Sequence, residues 1–198
     1  WRMRAGVRVE RLRWSGGFGD QTVPSPPMGT DEIVVVSPFI DKPFLERQAP
    51  AGAKSVRRVL LTTMREIERV GPSLAAFDEL LALEAPDYPN GDPETDSSIA
   101  ASANGSELAE DEEEEVGSGL HAKLLFIRKG QQRRLWLGSA NATMRAWTGR
   151  NAEVTAELVV TPSVEKGLKA LLGMARLVAV PSAEHSPDAA ILEDEALE

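Results

Sequence analysis

Apolar positions recur along the chain in two rhythms. Val7, Val9 and Leu12 alternate with arginines up to Trp14, which predicts a strand, and the Gly/Pro-rich residues 15–29 predict a loop. Ile33-Val34-Val35-Val36 is an unbroken apolar run stopped by Ser37-Pro38, the pattern of a strand buried on both faces in a largely parallel sheet. Residues 41–48 predict a short helix and residues 56–62 a second buried strand. Thr63 can cap a helix whose apolar residues Ile67, Val70, Leu74, Phe77 and Leu81 follow at three- and four-residue steps, with a kink or break at Gly71-Pro72. Strand, helix, strand, helix in that order predicts right-handed crossovers.

Further on, residues 120–127 and 134–138 are apolar-rich runs joined by Arg128-Lys129-Gly130-Gln131-Gln132-Arg133, which predicts a β-hairpin. With its loop centred near Gly130, antiparallel pairing sets His121 opposite Ser139 and Lys123 opposite Leu137. Residues 141–147 predict a short helix, 154–160 a strand, and 164–177 a closing helix carrying Val164, Leu168, Leu171, Leu172 and Ala175. The expected fold class is α/β: a mixed, mostly parallel sheet sandwiched by helices, with one β-hairpin. No internal repeat is visible.

Composition narrows this picture. The 198 residues, 42% of them apolar, suit one domain, expected over residues 1–180. Residues 86–119 hold Pro-Asp-Tyr-Pro-Asn-Gly, a Ser/Ala/Asn/Gly stretch and the run from Glu110 to Glu115, and are expected to form a disordered acidic insertion. Residues 181–198 are expected to be an acidic flexible tail. The chain opens on Trp1, which predicts a piece of a longer or trimmed protein. The formal charge of −9 argues against nucleic acid until the acids are located. They crowd into those two segments, whereas residues 120–160 carry Lys123, Arg128, Lys129, Arg133, Arg134, Arg145 and Arg150 against Glu153 and Glu157.

The absence of cysteine excludes disulfides, thiolate catalysis and Cys-based zinc sites, and is compatible with a reducing cytoplasm. Only His121 and His185 could offer imidazole to a metal, without paired spacing, so the chemistry is expected to need no metal and no cofactor. No apolar run approaches the roughly 20 residues that span a bilayer, and no signal-peptide pattern opens the chain, so a cytoplasmic protein without membrane association is expected.

Alternation puts His121 and Lys123 on one face of their strand, beside Gly138-Ser139-Ala140-Asn141. Gly138 would let a substrate approach the backbone, and Ser139 or Asn141 would cap the next helix, whose free N–H groups attract an anion. A phosphate held there would meet Lys123 and Asn141 while His121 attacks phosphorus, and Glu153 could orient an imidazole. Arg133, Arg134, Arg145 and Arg150 read equally as a steering field for a phosphate-bearing substrate or as a solvated face. Trp136 and Trp147 read as core rather than as base-stacking platforms.

His-x-Lys at His121 and Lys123, Gly-Ser-x-Asn at Gly138, Ser139 and Asn141, and Asn-x-Glu at Asn151 and Glu153 together resemble the signature of the phospholipase D superfamily. The strand-and-loop from Ile33 through Ser37-Pro38 to Ile40 resembles the start of such a module. The resemblance implies metal-independent phosphoryl transfer through a phosphohistidine at His121, with Lys123, Asn141 and Glu153 catalytic and Lys123, Gly138, Ser139 and Asn141 on the phosphate. It also implies a second histidine acting as acid and then base. Members of the superfamily bring two such motifs together, in one chain or by homodimerisation. This chain has one motif, and His185 lacks a lysine two residues on, so a second copy or a missing part of the chain is the implied partner. Arg128 stands where the family's usual aspartate is expected. Nuclease and restriction-type members are the nearest in pattern, making nucleic acid the implied substrate. Lipid headgroup transfer (a phospholipase or phosphatidyl transferase) and a nucleic-acid-binding module without turnover are the alternatives.

Overall fold

Eight strands form one sheet among the described residues of this computed structural model, which are 6–16, 23–49, 56–83 and 120–181. The strands are β1 (Val7–Ser15), β2 (Glu32–Val36), β3 (Arg57–Thr62), β4 (Glu79–Ala82), β5 (Leu124–Lys129), β6 (Gln132–Gly138), β7 (Glu153–Val160) and β8 (Arg176–Val178). Their order across the sheet is β1-β7-β6-β5-β2-β3-β4-β8. The insertion expected at 86–119, residues 182–198 and His185 lie outside the described residues.

β2 pairs in parallel with β3, and β3 with β4; the other five neighbouring pairs are antiparallel. The expectation of a mostly parallel sheet is therefore corrected: the sheet is mixed and mostly antiparallel. Helical crossovers account for the parallel part alone. Helix α1 (Lys42–Gln48) joins β2 to β3, and α2 (Met64–Val70) with a following 3-10 turn (Gly71–Ala76) joins β3 to β4. The β5–β6 hairpin and the flanking strands then add antiparallel neighbours.

The caps follow local chemistry. The Asp41 carboxylate accepts from Phe44 N at 2.8 Å at the start of α1, and the Thr63 hydroxyl from Glu66 N at 3.3 Å at the start of α2. Gly71, at φ +58°, ends α2, so the expected continuation through Phe77 to Leu81 is corrected. Leu80 and Leu81 instead belong to β4, paired with Leu60 and Leu61 of β3. Likewise the closing helix α4 (Pro162–Leu172) stops at Gly173, and residues expected in its last turn form the edge strand β8.

Alternation sorts the core onto two faces. Ile33, Val35, Leu60, Leu125, Ile127 and Trp136 are buried beneath α1, α2 and α3 (Met144–Trp147), with Phe44 and Trp147 stacked at a ring-centroid distance of 6.0 Å. Val34, Val36, Val59, Leu61, Phe126 and Leu158 pack on the opposite face against α4. On the latter face, toward the β1 edge, Leu12, Trp14 and Val154 are 71%, 55% and 56% exposed.

The hairpin loop is Gly130-Gln131, with Gly130 at φ +54°, closing Lys129 against Gln132. That two-residue loop pairs Leu124 with Leu137 and shifts the expected register by one. Lys123 consequently lies beside Gly138, whose N–H donates to Lys123 O at 3.4 Å.

Candidate functional site

His121 and Lys123 precede β5 rather than lying within it, at the end of the sheet where β2 and β6 finish and β7 begins. His121 is exposed and its ring meets no hydrogen-bond partner among the described residues. The Lys123 ammonium folds back to donate to His121 O at 3.0 Å.

Gly138 has a packing cause. A Cβ there would come within 2.1 Å of Val154 O, so the neighbouring strand β7 already excludes any side chain, independently of a substrate. Next to it, Ser139 is locked between strands: its hydroxyl donates to the buried Glu153 carboxylate and accepts from Val154 N at 3.0 Å, while Ser139 N donates to Val154 O at 3.0 Å. Glu153 also accepts from Asn151 Nδ2 at 3.5 Å, and Asn151 Oδ1 in turn accepts from Arg145 Nε at 3.1 Å. Ser139, Asn151 and Glu153 thus form one connected brace. The role expected for Glu153, orienting an imidazole, has no contact with His121 behind it among the described residues.

Asn141 is held from two sides. Its Oδ1 lies 3.4 Å from Ser37 Oγ, and its carbonyl accepts from Trp147 Nε1 at 2.9 Å and Thr143 N at 2.8 Å. Its Nδ2 has no partner among the described residues.

The helix cap expected from Ser139 or Asn141 is corrected. Thr143 caps α3, accepting from Ala146 N at 3.3 Å, and the Asp41 carboxylate accepts from Met144 N at 2.7 Å. The Asp41 carboxylate therefore already takes one of the N–H groups at the start of this four-residue helix. Asp41 serves α1 and α3 together, one oxygen to each.

Sequence reasoning missed the supports beneath these residues. Ser37 Oγ donates to Phe39 O at 2.6 Å and accepts from Ala142 N at 2.9 Å, and Ile40 bridges in parallel with Ala142. The buried Glu66 accepts from Ile40 N at 2.8 Å and is paired with Arg69 at 2.7 Å. The available signals were Ser37-Pro38 closing an apolar run and Asp41 two residues before Pro43.

The four candidate steering arginines are not gathered. Arg133 pairs with Glu165, and Arg134 with Glu157, on opposite faces of β6 and near its far end. Burial alone would raise the Glu157 carboxyl, but bonds and charges from Arg13 and then Arg134 outweigh it and hold Glu157 below its ordinary range. Arg128 is likewise remote, joining Glu32 at 3.3 Å and Asp31 at 3.4 Å. Only Arg145 on α3 and the exposed Arg150, in the turn before β7, remain at the site end. Trp136 and Trp147 are 5% and 7% exposed, core residues as expected.

Among the described residues no group of three or more His, Cys, Asp or Glu side chains is placed to hold a metal ion, and no helix is long and apolar enough to cross a membrane. No family model and no curated protein matches the chain. Among solved structures, it is similar to the phospholipase D family member Nuc from Salmonella typhimurium, at 13% identity and TM-score 0.49 over 89% of this chain and 99% of that one. It is also similar to NucT from Helicobacter pylori, at 12% identity and TM-score 0.46 over 74% and 82%. A mutant of yeast tyrosyl-DNA phosphodiesterase 1 is similar at 14% identity and TM-score 0.40 over 67% of this chain and 26% of that one.

Proposed function

We propose that the chain is a phospholipase D-like phosphodiesterase module that cuts nucleic acid without a metal ion, with His121 as nucleophile. The observation that supports this best is a division of labour at one end of the sheet. Ser139, Glu153 and Ser37 are consumed in bracing the backbone, while the His121 ring, the Lys123 ammonium and the Asn141 Nδ2 remain to meet a substrate. Lys123 and Asn141 then stabilise charge on the phosphoryl oxygens.

A His121 ring nitrogen forms an N–P bond as the P–O bond to the leaving group breaks. The leaving oxygen takes its proton from a second imidazole, supplied by a second copy of the module. Water then breaks the N–P bond, giving its proton to that same imidazole. The cysteine-free composition fits a reducing compartment such as the cytoplasm. A second reading, binding without turnover, is favoured by the single His-x-Lys motif and by Arg128 at the aspartate position.

The test is cleavage of labelled single- and double-stranded DNA and RNA in excess EDTA by the wild type and His121→Ala, with an alkaline denaturing quench to trap a phosphoenzyme. The wild type is expected to cut and to form an acid-labile phosphohistidine, with a loss of at least about a thousandfold in the variant. Salt-sensitive binding without cleavage by the verified dimer would sink the enzymatic reading. Headgroup release from vesicles in its place would redirect it to lipid.

A further inference from the structure

On the same face of the β5–β6 hairpin, away from Ser139, lies a cavity of about 470 Å³, within the size range of small-ligand sites. Trp136 and Ile127 line it from the sheet, and Pro24 and Pro27 from the loop at residues 23–31. That loop is fixed to α1: Gln48 Nε2 donates to Pro24 O at 2.8 Å and Arg47 Nε to Ser25 Oγ at 3.0 Å.

Two features mark the cavity as built for a ligand. Four cations line it, Arg13, Arg47, Lys129 and Arg134, against the single carboxylate of Glu157. Glu157 takes Arg13 at 2.8 Å and Arg134 at 2.6 Å. Lys129 and Arg47 face no carboxylate among the described residues closely enough to pair. The second feature is the Trp136 indole in the cavity wall, whose Nε1 is buried just behind that wall and has no hydrogen-bond partner among the described residues. An indole N–H can only donate, and a buried donor left unmet is costly, so a small turn of the indole that brings Nε1 to an acceptor in the cavity is favoured.

We propose that this cavity binds a nucleoside phosphate. The phosphate meets Arg47, Lys129 and Arg134, and the base lies along the prolines with an acceptor atom on Trp136 Nε1. The site is distinct from His121, since Arg134 stands four strand residues from Gly138, about 13 Å along β6. In choosing a nucleotide over other anions the inference rests on the phosphodiesterase reading. Its source is either a nucleotide of the strand being cut, held away from the scissile phosphate, or a free nucleotide.

Calorimetric titration of the full chain with AMP, dAMP and inorganic phosphate tests it, using wild type, His121→Ala and the double variant Arg47→Ala/Lys129→Ala. Both substituted side chains are exposed, and an unchanged Tm verifies the fold. Expected is one nucleotide per chain in wild type and His121→Ala alike, tighter than inorganic phosphate, and about tenfold weaker in the double variant. No saturable binding at millimolar nucleotide, binding no tighter than inorganic phosphate, or binding untouched by the double variant overturns the proposal. Cleavage assays then separate the sources. A raised KM on oligonucleotides with kcat unchanged places a substrate strand in the cavity, and an unchanged KM leaves the free nucleotide. Nucleotide binding by a chain that cuts nothing would keep this site and defeat the phosphodiesterase reading alone.

Discussion

At the turn end of the β5–β6 hairpin, Arg128, Arg133 and Arg134 each close on a buried glutamate: Glu32, Glu165 and Glu157 respectively. At its open end, His121 is exposed and Lys123 binds, among the described residues, only a backbone carbonyl. All five residues come from one short basic stretch, yet one end uses its cations to offset buried carboxylates and the other leaves them for solvent or substrate. A count of basic residues near a motif thus overstates the field a substrate feels, because paired cations cancel within a few ångströms.

This contrast implies that substitutions at the open end alter chemistry without altering stability, and that those which break the arginine–glutamate pairs of the turn end chiefly lower stability. The largest expected effect is on activity. Lys123→Ala lowers cleavage about 10²- to 10³-fold, with stability within about 0.5 kcal/mol of wild type. Parallel rate assays and urea melts check it, and a variant that is as active as wild type breaks the contrast at the open end.

Next is Glu32→Gln. Arg57, Arg128 and Lys169 all converge on this carboxylate, which is 2% exposed. Removing it strands their charge, but Arg57 is 43% and Arg128 28% exposed and can rehydrate. The expected loss is therefore about 2–3 kcal/mol, below what a fully buried pair would cost. Denaturant titration measures it, and a change under about 0.5 kcal/mol would show the network to be energetically idle.

The smallest effect is graded with pH. For Glu165, as for Glu157, burial alone would raise the carboxyl; bonds and charges from Lys169 and Arg133 overcome it and hold the group below its ordinary range. A depressed folded-state value means the stabilisation is complete above the unfolded value of about 4.3 and drains away as pH falls through the lower folded one. Stability is expected to be flat from neutral pH to about pH 5 and to fall below about pH 4, with a shallower fall in Glu157→Gln/Glu165→Gln. Equal slopes in the two proteins would assign acid sensitivity elsewhere.

Much of this arrangement was legible before any coordinates. Continuous apolar runs announced β2 and β3, alternation announced β1, and the Gly130 turn announced the hairpin that brings Lys123 to Gly138. What escaped was decided at long range. Glu79-Leu80-Leu81-Ala82 is composed of helix formers and became a strand because β3 offered it a parallel edge, and three-residue β8 exists only through β4. Local spacing could not show that β5 would run against β2, which joins the antiparallel strands β1, β7, β6 and β5 to the parallel strands β2, β3 and β4. At the site, the motif residues were found by pattern, but Ser37, Asp41 and Glu66 act across gaps of sequence that no window spans. The bonds of Ser37 to Ala142 and Asp41 to Met144 each link residues over a hundred positions apart.

The strand order also sets a timetable. β1 precedes every other strand in the chain but pairs only with β7, Val7 against Val160 and Trp14 against Val154. During synthesis it must wait for nearly the whole sheet to emerge before its partner exists, and closing so long a loop is slow. Throughout that interval Leu12 and Trp14 sit on an unpaired strand, a ready template for a neighbouring nascent chain. The three arginines of β1, Arg8, Arg11 and Arg13, keep such neighbours apart by mutual repulsion until β7 arrives.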